Sequence, residues 1–181
     1  MRYLAIGLML LWSHSAFAQV ASPSERSMKE LRDAPQQFLA DVAALILGYG
    51  TANGIDGDGI VFYVAVQRSK ARAREMHRLL TADLDGDGVV TEGEVDLTIR
   101  PEAARSKARL VLGHRAADTD ADGQVTLDEM RVHAAQAGVK ALSDAEAARL
   151  ENLLVLDADG DKRLSLDEAM GAVKQLMKKG V

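Results

Sequence analysis

The chain has no cysteine among its 181 residues, so disulfide cross-links and thiolate-held zinc are excluded. Without a cysteine near the N-terminus, a bacterial lipid anchor is excluded as well. Aromatic residues are scarce at 4%, while aliphatic residues and alanine are plentiful, a balance that fits a helical protein with a modest core. Beyond the first twenty residues no run is apolar enough to span a bilayer. No Asn-x-Ser/Thr acceptor is present, which leans towards a bacterial envelope over a glycosylating host. No nucleophile–base grouping, phosphate-binding glycine loop or catalytic carboxylate pair stands out, so the expected function is not enzymatic. The length allows one compact unit or two small lobes.

What the chain does have is acid, and the acid is concentrated. Of its 27 Asp and Glu residues, 15 fall in three short stretches that contain only Lys162 and Arg163 among the bases. Outside those stretches 20 bases face 12 acids, so the acidity belongs to the stretches and not to the surface at large.

The stretches share a pattern. Asp83-Leu84-Asp85-Gly86-Asp87-Gly88-Val89-Val90-Thr91-Glu92-Gly93-Glu94 places Asp at positions 1, 3 and 5, Gly at 6 and Glu at 12. Asp118–Glu129 repeats it in full, and Asp157–Glu168 repeats it except that Lys162 stands at position 6. Each has an aliphatic residue at position 8: Val90, Val125 and Leu164. One match could be chance in an acidic chain; acidic turns that bind nothing do not explain the glutamate repeated at position 12.

From about Pro35 onward the chain resembles the EF-hand (calmodulin-like) superfamily, and more loosely the secreted bacterial EF-hand proteins. The resemblance implies an all-α fold of helix–loop–helix pairs with short antiparallel β contacts between loops. It also implies Ca²⁺, a hard ion that takes several oxygen ligands at about 2.3–2.6 Å. In the second loop Asp83, Asp85 and Asp87 would give carboxylate oxygens, Val89 its carbonyl, Thr91 a bridging water and Glu94 both oxygens. The matching sets are Asp118, Asp120, Asp122, Gln124, Thr126 and Glu129 in the third loop, and Asp157, Asp159, Asp161, Arg163, Ser165 and Glu168 in the fourth. Position 6 needs left-handed backbone, so Lys162 should strain the fourth loop and weaken it, with Gly160 easing the turn.

A weaker echo precedes these. Ile55–Val61 aligns with Leu84–Val90, which puts Gly54 at position 1, Val61 at position 8 and Ala65 at position 12. The first and last carboxylates are missing, so this first hand is expected to be degenerate, keeping the turn and binding Ca²⁺ weakly or not at all. Asn53 could serve as a ligand if the loop is bulged.

Helices fill the intervals. Phe38, Leu39, Val42, Leu45 and Ile46 share a face after Pro35, and Gly48-Tyr49-Gly50 ends that helix. Phe62–Ala82 reads as one helix shared by the first and second hands. Pro101 opens the next helix, which ends near Ala117. Gly138 stops the one after Glu129, and Ser143-Asp144-Ala145-Glu146 is a capping-box start. The last helix carries Leu166, Met170, Val173, Leu176 and Met177 on one stripe.

The expected organisation is a signal peptide at 1–18, a flexible leader at 19–34, an N-terminal hand pair at 35–99 and a C-terminal pair at 100–181. Chain order suggests pairing of the first hand with the second and of the third with the fourth. Only 17 residues separate Ala65 from Asp83, which leaves open a second–third pairing with the degenerate and fourth hands meeting instead. The signal-peptide reading rests on Arg2, the apolar run Leu4–Trp12 and the small-x-small Ala16-Phe17-Ala18, with Gln19 as the mature start. It implies export to the periplasm or beyond and no transmembrane anchor. That argues against nucleic acid as partner of the basic stretch Arg68, Lys70, Arg72, Arg74 and Arg78, which is expected to be a solvated face. His77, His114 and His133 are expected to be surface or partly buried, without metal. The functional expectation is a calcium buffer or low-affinity sensor; the alternative is a calcium-stabilised module that recognises an envelope or extracellular protein.

Overall fold

The computed structural model describes residues 29, 31–100 and 102–179. The expected signal peptide and residues 19–28 of the expected leader lie outside these. The end of the leader does not behave as one: residues 31–33 are helical and Leu31 is buried in the core.

The first hand begins with α1 (Pro35–Tyr49), which buries Phe38, Val42, Leu45 and Ile46 along one side. Pro35 at its first turn has no amide to leave unpaired. A short turn follows, and α2 (Gly57–Leu80) then runs for 24 residues, starting five residues earlier than the apolar pattern suggests. The reason is Asp56, whose carboxylate accepts from the Gly59 amide at 3.0 Å and caps the helix. Strand β1 (Val90–Thr91) leads into α3 (Glu92–Thr98). Helix α4 (Ala104–Ala117) starts three residues after Pro101, which itself lies outside the described residues. Strand β2 (Gln124–Val125) leads into α5 (Leu127–Ala141), and α6 (Asp144–Glu151) continues as a 3-10 turn over Asn152–Leu156. Helix α7 (Leu166–Lys179) closes the described chain.

Thr91, Thr126 and Ser143 each cap the helix they precede in a reciprocal box, with Glu94, Glu129 and Glu146 reaching back. Helix α5 passes through Gly138 instead of stopping there. That glycine serves packing: a Cβ would sit 3.1 Å from the Arg68 carbonyl oxygen and 3.1 Å from Arg72 Cγ on α2.

The loops pair in nested order. Strands β1 and β2 are antiparallel, with Val90 opposite Val125, so the second loop pairs with the third. Ile55 bridges Leu164, with amide–carbonyl distances of 3.0 and 2.8 Å, so the first hand meets the fourth. The boundary expected at 99/100 therefore cuts across both loop pairs. It fails because the one-helix link between the first two hands points their loops to opposite ends of α2.

The Ile55 bridge also corrects the register of the first loop. Ile55 does the work expected of Val61, which lies on α2 and is 57% exposed. Gly54 is the turn residue before it, with φ +110°, and Ala65 lies well inside the helix. Counted from Ile55 as position 8, Asp56 matches Thr91, Thr126 and Ser165, the capping residues at position 9. The loop is also shorter: α1 continues to Tyr49, and a Thr51–Gly54 bridge closes the turn directly.

Each loop pair has its own core. The outer one gathers Phe38, Val42, Ile46, Ile55, Ile60, Leu153, Leu164 and Val173. The inner one gathers Leu79, Ala82, Val90, Val95, Leu110, Ala117, Val125 and Met130. Helices α2 and α5 link the two. They lie antiparallel, since Arg68 reaches the Leu142 carbonyl at one end while Leu79 and Met130 share the inner core at the other. Between these points a partly buried polar cluster ties them: Glu75 accepts from Arg78 on its own helix and, at 3.0 Å, from His133 Nε2 on α5. Arg68 also pairs with Asp144 at 2.7 Å. So the basic stretch is only partly the solvated face expected: Lys70, Arg72 and Arg74 are exposed, while Arg68 holds α2 to Leu142 and Asp144 and Arg78 pairs with Glu75 on its own helix.

Candidate metal sites

The three acidic loops are built alike from the backbone upward. In the second, the Asp83 carboxylate accepts from the amides of Gly86 at 2.8 Å and Gly88 at 3.0 Å, which wraps the loop around the aspartate. Asp85 accepts from the Asp87 amide at 3.1 Å, and Asp87 from the Val89 amide at 2.7 Å. Glu94 spans the loop: Oε1 accepts from the Leu84 amide at 2.9 Å, and Oε2 from the Thr91 amide and hydroxyl at 2.9 and 2.8 Å. The third loop repeats this with Asp118 on the amides of Asp122 and Gly123, Asp122 on that of Gln124, and Glu129 on Thr119 and Thr126. In the fourth, Asp157 takes the amides of Gly160 and Lys162, Asp161 that of Arg163, and Glu168 those of Ala158 and Ser165.

This wrapping needs left-handed backbone twice per loop, at positions 4 and 6. Glycine fills both in the second loop, where Gly86 and Gly88 have φ of +78° and +86°. The third loop has Ala121 at +61° and Gly123 at +82°; the fourth has Gly160 at +80° and Lys162 at +66°. The strain expected at Lys162 is present. Its counterpart at Ala121 was not foreseen, because the pattern constrains position 6 and leaves position 4 open.

The result is convergence. Oxygens of Asp83, Asp85 and Glu94 lie within 4.8 Å of one another, as do those of Asp118, Asp120 and Glu129, and those of Asp157, Asp159 and Glu168. Among the described residues these three groups of acidic side chains could hold a metal ion, and none is found in the first loop. Asp87, Asp122 and Asp161 stand on the same loops with one carboxylate oxygen each on a backbone amide. Thr91, Thr126 and Ser165 serve as helix caps, and Val89 and Gln124 donate their backbone amides to Asp87 and Asp122. Arg163 sends its side chain away to the first hand.

The donors suit a hard cation. Oxygens around an ion at 2.3–2.6 Å can be at most about 4.6–5.2 Å apart, a range that takes in the 4.8 Å within which each group converges. No nitrogen or sulfur donor is part of the groups. The closing glutamates are held ionised. The Thr91 amide and hydroxyl, then the Leu84 amide, pull Glu94 below the ordinary carboxylate value. The Thr126 and Thr119 amides, with the two hydroxyls, pull Glu129 down to about 2. At Glu168 partial burial works the other way, but the Ser165 amide and hydroxyl and the Ala158 amide outweigh it.

One supporting residue escaped the sequence reading. His114 is buried, and its Nε2–H donates to the Val90 carbonyl at 2.8 Å, pinning β1 from beneath. The signal was there in the loop alignment: His114 stands four residues before Asp118, as Leu79 does before Asp83 and Leu153 before Asp157, and all three are buried. Compared with known proteins, the chain matches no family model, no curated protein and no solved structure.

Proposed function

We propose that the chain is an exported calcium-binding protein of the EF-hand type, which takes up three Ca²⁺ ions as a buffer or low-affinity sensor. The observation that carries this reading is the threefold recurrence of a converging all-oxygen carboxylate group, each closed by a glutamate held in place by its own helix cap. Asp83, Asp85, Asp87 and Glu94 would hold one ion, Asp118, Asp120, Asp122 and Glu129 the second, and Asp157, Asp159, Asp161 and Glu168 the third. A bound ion would supply charge neutralisation and a fixed loop geometry. Binding would stabilise the folded chain by mass action. Sites that work outside the cytosol need dissociation constants of only about 10⁻⁴–10⁻³ M.

Calorimetric titration with Ca²⁺ decides the matter. Three binding events are expected, and Glu94→Gln removes one of them, because the two-oxygen closure of that loop is lost. Absence of binding, or four equal sites, would overturn the reading. Export is supported by Arg2, the run Leu4–Trp12 and Ala16-Phe17-Ala18. N-terminal sequencing of the protein recovered from the cell envelope should begin at Gln19, and a retained Met1 would refute cleavage.

A second reading, a calcium-stabilised module that docks a protein partner, is favoured by one observation. Leu47, Val61 and Phe62 are 77%, 57% and 61% exposed on the first hand.

A further inference from the structure

The first loop has no carboxylate group like those of the other three, yet it is folded and bridged. What stands in it is a cation from its partner. Arg163 occupies position 7 of the fourth loop, where the calcium reading uses only the backbone carbonyl. Its side chain crosses the Ile55–Leu164 bridge into the first hand. Nη2 lies 2.7 Å from Asp56 Oδ2, and Nη1 donates to Thr51 Oγ1 at 3.1 Å. Thr51 opens the turn and Asp56 ends it, so one guanidinium spans the loop. Both partners have second tasks there: the other Asp56 oxygen caps α2, and the Thr51 hydroxyl donates to the Gly54 carbonyl at 3.2 Å. Arg163 and Asp56 are 31% and 34% exposed, so the pair is only partly screened by water.

We propose that Arg163 is the built-in cation of the first loop, a positioning residue that closes this loop without metal and couples its closure to ion binding in the fourth. The Arg163 amide donates to Asp161 in the fourth loop at 2.8 Å, and Leu164, the next residue, makes the bridge. One residue therefore has its backbone in a metal-binding loop and its charge in the loop that lacks one. Fixing the side chain fixes the carbonyl that the fourth site would use. Coupling of this kind is reciprocal: an ion in the fourth loop holds the first loop shut, and a shut first loop favours the ion. The coupling half rests on the calcium reading; the closure half does not.

The test uses the whole chain with Arg163→Gln, Asp56→Asn and the double variant. Asparagine caps a helix as well as aspartate, so Asp56→Asn removes the charge and keeps the cap. In chelator, hydrogen exchange at the Ile55 and Leu164 amides should accelerate about two- to five-fold in each single variant, the scale of one partly exposed ion pair. The double variant should add nothing further, the Val90 and Val125 amides should be unaffected, and Arg163→Lys should fall between. With Ca²⁺, affinity at the fourth loop should drop by a similar factor while the second and third loops keep theirs. Unchanged exchange at Ile55 and Leu164 overturns the closure. Unchanged affinity at the fourth loop, or an equal loss at all three, overturns the coupling. A wild-type chain that binds no Ca²⁺ would defeat the functional reading, and the chelator arm would still decide the role of Arg163.

Discussion

Ala121 and Lys162 hold left-handed backbone that glycine holds elsewhere in the same loops. Left-handed backbone costs a residue with a Cβ about 1–2 kcal/mol. Ala121→Gly and Lys162→Gly should therefore each stabilise the metal-free protein by about 1 kcal/mol, after the extra freedom of glycine in the unfolded chain is subtracted. Gly88→Ala should destabilise it by a similar amount. Thermal unfolding in chelator checks all three, and a neutral Lys162→Gly would show that the loop relaxes around the lysine. Glu129 sets a pH dependence whose sign follows from its lowered carboxyl. Its ordinary value is 4.5 and its folded value about 2, so the unfolded chain takes up the proton first as pH falls. The stabilisation from its loop bonds is complete above the ordinary value and is lost as pH drops from there towards the folded one. Unfolding measured across that window in chelator should show a slope that Glu129→Gln reduces, the remainder coming from Glu94 and Glu168, which are lowered too.

At the scale of elements, the contact between α2 and α5 depends on Gly138. Gly→Ala within a helix ordinarily gains up to about 1 kcal/mol, but here the new Cβ meets the Arg68 carbonyl at 3.1 Å. Gly138→Ala should forfeit that gain, and Gly138→Val should destabilise by about 1–3 kcal/mol through overpacking. Denaturant unfolding of the two variants measures this, and a stabilised Gly138→Val would mean the helices separate freely. The same contact explains what the sequence concealed. The three acidic loops were legible because every side chain of each converging group lies within one short contiguous segment, so local spacing suffices. The register of the first loop was not, because Asp56-Gly57-Asp58-Gly59 copies Asp85-Gly86-Asp87-Gly88 locally while its true anchor, Leu164, is remote in the chain. Gly138 was misread for a similar reason: a helix stop and a close helix crossing both ask for glycine, and only the neighbour tells them apart. The polar cluster of Glu75, Arg78 and His133 joins residues from two helices with no local signature.

For the molecule as a whole, the described structure is two loop pairs held apart by two antiparallel helices. The full chain carries a net charge of −5, and loss of the first 18 residues, which include Arg2, would leave −6. Three divalent ions would bring that to about zero and reduce repulsion within the fold. Migration towards the anode on a native gel should fall when Ca²⁺ replaces chelator, and identical mobility would argue against filled loops. The nesting of the pairs also sets a timetable. Val90 and Val125 are 35 residues apart, whereas Ile55 and Leu164 are separated by 109. Closing the longer span from an open chain costs about 1 kcal/mol more entropy. Once the inner pair has formed and α5 has zipped along α2, most of that span is already spent. Val125→Ala should then slow folding, while Leu164→Ala should chiefly speed unfolding. A chain emerging N-terminus first would have its inner lobe complete while Leu164 is still to come, and its first loop would wait, cap and turn in place, for the arginine that arrives with it.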